Sequence, residues 1–160
     1  MLTYLAVLAA VVLLLYVCYR ALSGAQPRSA RESRHVLGRL AELTLARAGE
    51  LGDALAAAAP AEIGERPVAD PLVAAAAVLR PRLAAYLEQL GQLESSASGE
   101  EGDLLDGVAA LVAGAAEDLV WACRMIEGGG YRENPGIQRA VTVLLEHSAE
   151  CLSAAGVRLR

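Results

Sequence analysis

Residues Leu2 to Tyr19 form an unbroken run of eighteen uncharged residues, rich in Leu, Val and Ala and free of Pro and Gly. A helix of that length reaches roughly 27 Å, close to the hydrocarbon thickness of a bilayer. Tyr4 stands near one end and Tyr16 and Tyr19 near the other, where amphipathic rings favour the headgroup zone. The run therefore predicts a single transmembrane anchor over 1–19, to which everything downstream is tethered.

Charge sets the expected orientation. Arg20, Arg28, Arg31, Arg34 and Arg39 follow the run, opposed only by Glu32. The positive-inside bias then puts the N-terminus outside and the C-terminal part in the cytoplasm. A competing reading is an exported helical protein cut by signal peptidase after Ala25, because Ser23-Gly24-Ala25 offers small residues at the inspected positions. Against it, Met1-Leu2-Thr3 supplies no basic n-region and Arg20 lies between the apolar core and the cut.

The chain carries a formal net charge of −5, unevenly placed. Residues 20–50 hold six Arg against three Glu, whereas residues 51–160 hold eight Arg against sixteen acids. Basic groups near the membrane and acidic groups far from it suit contact of Arg20, Arg28, Arg31 and Arg34 with anionic lipid headgroups. The same distribution argues against nucleic acid as a partner, which needs a basic patch where the fold can present it.

After a basic juxtamembrane linker over 20–30, apolar spacing predicts an all-α domain over 31–156, an antiparallel up-down four-helix bundle, with a short tail over 157–160. The first helix, about Ser29 to Ala58, repeats Leu37, Leu40, Thr44, Ala48, Leu51 and Leu55 at steps of three and four. The second opens on Asp70-Pro71, a cap acceptor followed by proline at the first helical position. Its seam, Leu72, Ala76, Leu79, Leu83, Tyr86, Leu90 and Leu93, has bundle spacing, and Pro81 is expected to kink or split it while facing solvent.

An acidic connector, Glu94 to Gly102, precedes a third helix over Asp103–Glu127. Two adjacent apolar rows make it the most apolar of the four, hence the central one, with Gly107, Ala110 and Gly114 as a small-residue face. Gly128-Gly129-Gly130 should end it. Asn134-Pro135 repeats the cap-then-proline start, and the fourth helix should run to about Ala155 with Gly156 as its stop.

No catalytic signature and no cofactor motif emerges, so an enzyme is not expected. Glu32 and His35 make one Glu-x-x-His, half of a di-iron pattern, and the only other histidine, His147, has Leu144 three residues before it. The alternative to a binding module is a metal-binding or enzymatic bundle using His147, Cys151 and Cys123, with Glu150 nearby, because Cys and His suit zinc. His35 lacks the acidic neighbour of a phosphoacceptor histidine, and the triple glycine lacks the GK[ST] of a phosphate loop. Cys123 and Cys151 otherwise read as small core hydrophobes. Trp121, Tyr131 and Arg132 are the candidate contact residues for a protein partner or a second copy. Helix-face counting sets Trp121 beside Glu117 and Asp118, although a tryptophan in so aromatic-poor a chain is expected first as a core plug.

Overall fold

A computed structural model describes residues 29–58, 70–93 and 99–160. They form four helices: α1 (Ala30–Ala57), α2 (Pro71–Gly91), α3 (Glu100–Glu127) and α4 (Pro135–Leu159), with no strand among the described residues. None of these helices is long and apolar enough to cross a membrane, and the anchor predicted over 1–19 lies outside the described residues, as do Arg20 and Arg28.

Each start is chemically defined. Ser29 caps α1 through its hydroxyl to the Glu32 amide, and Glu32 reaches back to the Ser29 amide, a capping box that satisfies two orphan donors. Asp70 and Asn134 accept from Leu72 and from Gly136 and Ile137, with proline next in both cases. The helix α3 begins at Glu100, three residues earlier than expected, because Gly99 adopts φ +68° and Glu100, Glu101 and Asp103 occupy the first turn. Acidic side chains there face the positive end of the helix dipole.

Pro81 does not split α2, which is assigned as one helix; the proline is solvent-exposed, as its Arg80 and Arg82 flanks suggested. Nor does Gly156 stop α4. Its φ is not positive, and the helix continues to Leu159, which packs on the core beside Leu37 and Ala155. The triple glycine does end α3: Gly129 and Gly130 take φ +81° and +77°, a region that side chains other than glycine rarely enter.

The central position of α3 is borne out. It packs against all three other helices, α1 also touches α2 and α4, and no α2–α4 contact occurs among the described residues. Arg34 meets Glu101 at 3.5 Å, pairing the first turns of α1 and α3. Along α3 and α4, Gly107 lies against Arg158, Gly114 against Cys151, and Asp118 against His147, so these two run in opposite directions. At the far end Arg132 ties the end of α1 to the start of α2. Successive helices thus alternate in direction, consistent with the expected bundle.

Two apolar clusters fill the interior. One gathers Leu51, Leu72, Leu79, Leu83, Leu119 and Ile126; the other gathers Leu37, Leu40, Leu90, Leu105, Val108 and Val112. Between them every helix contributes a small or polar residue: Thr44, Tyr86, Ala115 with Ala116, and Ser148. Thr44 donates to the Leu40 carbonyl at 2.8 Å, whereas the buried Ser148 hydroxyl has no hydrogen-bond partner.

Arg132 fixes the far end chemically. Its guanidinium donates twice to Asp70, at 2.9 and 3.2 Å, and once to the Ala58 carbonyl at 2.9 Å. The Arg132 hydrogen bond holds the Asp70 carboxyl below its ordinary value of 3.8, with the Leu72 amide assisting and burial opposing. A depressed carboxyl stabilises the fold above the unfolded value, and that contribution is lost as pH falls through the lower folded value. Replacing Asp70 by Asn should therefore flatten the acid limb of a denaturant-midpoint titration between about pH 2 and 6. An unchanged limb would mean that the clamp contributes nothing to stability.

Candidate functional site

The sequence-predicted contact residues are not one patch. Tyr131 is half-buried and packs on the core cluster that holds Leu72 and Ile126. It lines a shallow apolar cleft at the far end together with Leu72, Val73, Ile126 and Arg132. Arg132 itself is committed to Asp70 and Ala58. Trp121 is not a core plug: it is 53% exposed on α3, with the Arg124 guanidinium 4.9 Å from its ring centre. At 1.5 Å per residue it lies about 9 Å along the axis before the end of α3. Of the proposed lipid contacts, Arg31 and Arg34 are exposed on the first turns of α1. Beside them a shallow surface cleft is lined by Arg34, His35, Arg39, Glu42 and Leu159. In the Glu-x-x-His pair the Glu32 carboxylate closes the capping box.

The grouping of His147, Cys151 and Cys123 does not assemble. Cys123 is fully buried in the core, where its charged neighbours are Glu127 and Arg80, an ion pair at 2.7 Å. Burial, reinforced by Glu127, pushes that thiol up to about 11, so it remains a protonated apolar filler. Cys151 instead senses Asp118 and Glu150. Among the described residues no set of three or more His, Cys, Asp and Glu side chains is placed to hold a metal ion.

What the fold does bring together is Asp118, His147 and Cys151. His147 and Cys151 are one turn apart on α4, and Asp118 reaches them from α3. The His147 Nδ1 to Asp118 Oδ2 distance is 2.6 Å, and the Cys151 Sγ to His147 Nε2 distance is 3.8 Å. A carboxylate accepts only, so Nδ1 carries the proton and donates to Asp118, and Nε2 is the ring nitrogen on the Cys151 side. The Asp118 side chain is 16% exposed and that of His147 60% exposed, which places the acid under the ring and the ring at the surface. Burial, then the carboxylates of Asp118 and Glu150, push the Cys151 thiol upward. The sulfur lies over Gly114 of α3, where a Cβ would sit at an ordinary contact distance of 4.0 Å.

Sequence reading paired His147 with Cys151 through their spacing but missed Asp118. The carboxylate lies twenty-nine residues away, and only the antiparallel register of α3 and α4 reveals the contact. Comparison with protein-family models, curated proteins and solved structures yields no match to this chain.

Proposed function

We propose that this chain is a membrane-tethered helical-bundle interaction module: a single apolar span, N-terminus outside, holding a cytoplasmic four-helix domain that docks another membrane component or a second copy. The observation that carries the reading is the uncharged run Leu2–Tyr19 followed at once by an Arg-rich stretch. Two structural features support it. The interior of the bundle is mainly apolar, its buried polar residues being Ser33, Thr44 and Ser148 among the described helices, while large apolar side chains remain outside, Trp121 at 53%, Val143 at 55% and Val157 at 65% exposure. Exposed aromatic and branched residues of this kind serve as interface anchors. The α4 terminus also returns Arg158 and Arg160 to the end of the bundle where α1 starts, adding positive charge beside Arg31, Arg34 and Arg39. Glu100, Glu101 and Asp103 offset part of that charge on α3.

The test is photocrosslinking in intact cells from a benzophenone amino acid placed at Trp121. The reading expects a discrete membrane-associated adduct, either with a partner or with a second copy. The same probe placed at Thr142, an exposed polar site, serves as the comparison. Equal, diffuse labelling from both positions would remove the interaction reading.

A further inference from the structure

The Asp118, His147 and Cys151 cluster admits two chemistries, and its surroundings choose between them. An acid, an imidazole and a thiol in this order could serve nucleophilic catalysis. Acyl transfer would also need donors for an oxyanion, and the amides around Cys151 are taken up in the middle of α4. The Asp118 and Glu150 carboxylates further oppose a free thiolate. The same negative field attracts a cation, and a bound dication makes the thiolate the favoured form.

The geometry fits a metal. Tetrahedral zinc with ordinary bond lengths to sulfur and nitrogen holds the two donors about 3.6 Å apart. Here they are 3.8 Å apart, one turn apart on one helix. Asp118 occupies the other ring nitrogen, as an outer carboxylate does behind a metal-binding histidine, fixing the tautomer that aims Nε2 outward. Because Asp118 and Cys151 lie at opposite nitrogens of the ring, the chain alone offers two convergent ligands. Zinc-type sites built from protein ligands alone take four. A two-fold axis beside α4 would supply the missing pair, since an isologous contact doubles whatever each surface presents. Val143, one turn before His147 and 55% exposed, gives that surface an apolar neighbour.

We propose that His147 Nε2 and Cys151 Sγ are half of a thiolate–imidazole site for a zinc-class divalent cation, completed by the same pair from a second copy, with Asp118 as the positioning residue behind His147. On binding, the Cys151 proton leaves to solvent and the sulfur forms its bond to the metal without change of oxidation state. The inference concerns α4 and the Asp118 carboxylate of α3 and does not depend on the membrane tether.

The experiment titrates the untagged full chain, reduced and in detergent, with Co(II) as a spectroscopic stand-in for zinc. The expected result is a thiolate-to-cobalt charge-transfer band with the intense visible bands of a tetrahedral ion, saturating at one metal per two chains. Light scattering should show the protein mass doubling with metal and returning on chelation. His147→Ala and Cys151→Ser each abolish the bands while helical circular dichroism is retained, and Cys123→Ala keeps them. Asp118→Asn weakens affinity about 10- to 100-fold at unchanged stoichiometry and band position. Bands that survive Cys151→Ser, an absence of any thiolate band, or saturation at one metal per chain without a change of mass would each overturn the proposal.

Discussion

Truncating Leu119 to Ala is expected to destabilise the bundle by about 3–5 kcal/mol, the upper part of the range for a large core side chain. Leu119 is wholly buried in the central helix, within the cluster that also holds Leu51 and Leu83. The loss has two parts, the transfer energy of the removed carbons and a cavity that neighbours cannot fill. Because α3 is packed by α1, α2 and α4, no single helix can move inward without leaving the others. Domains of this size have total stabilities of about 5–15 kcal/mol, so the variant should retain only part of its folded margin. Its melting temperature should fall by roughly 10–15 °C. Leu45, 58% exposed on α1, is the control, and its replacement by Ala should stay within about 0.5 kcal/mol. Equal effects at the two positions would show that the core is not where the packing places it.

The second large effect belongs to the apolar run. On the proposed tether, Leu8→Arg combined with Val12→Arg should transfer the protein from the membrane fraction to the soluble or aggregated fraction. Six Leu and four Val between residues 2 and 17 contribute about 0.3–0.6 kcal/mol each to insertion, a total of about 3–6 kcal/mol. Each arginine near the centre of a span costs about 2.5–3.5 kcal/mol. Two of them outweigh the favourable sum, whereas one brings insertion close to balance. The paired variant should therefore lose resistance to alkaline extraction, and Leu8→Ile with Val12→Ile should keep it. Wild-type protein that extracts as readily as the arginine variant would refute the anchor.

The helices were legible because their signals are local. Asp70-Pro71 and Asn134-Pro135 announce two starts through caps that need only neighbouring residues, and the α2 seam names its buried side chains one by one. Errors fell where a local rule met tertiary context. Gly156 reads as a stop, yet Leu159 finds the core three residues later and holds the last turn in place. Both apolar rows of α3 are used: Leu105 and Val112 are buried as fully as Val108 and Leu119, because three helices rather than one surround it. Trp121 was expected in the core by its chemistry and lies outside by its angle around the helix. The site was half legible: His147 and Cys151 are visible as an i, i+4 pair, while Asp118 depends on the register between two helices, which no spacing rule within one of them specifies. Arg132 was singled out as a surface contact. Its clamp on Asp70 and Ala58 arises only when three chain segments meet at one end of the bundle.

The most direct test of the tethered-bundle account is thiol accessibility in intact cells. A full-length Ser98→Cys variant, in the acidic segment between α2 and α3, is treated with a membrane-impermeant maleimide, and the protein recovered from membranes is weighed by mass spectrometry. The account predicts protection of the introduced thiol until the membrane is permeabilised, together with a mass that includes residues 1–25. Labelling in intact cells, with a mass beginning at Gln26, would contradict it and establish release after Ala25.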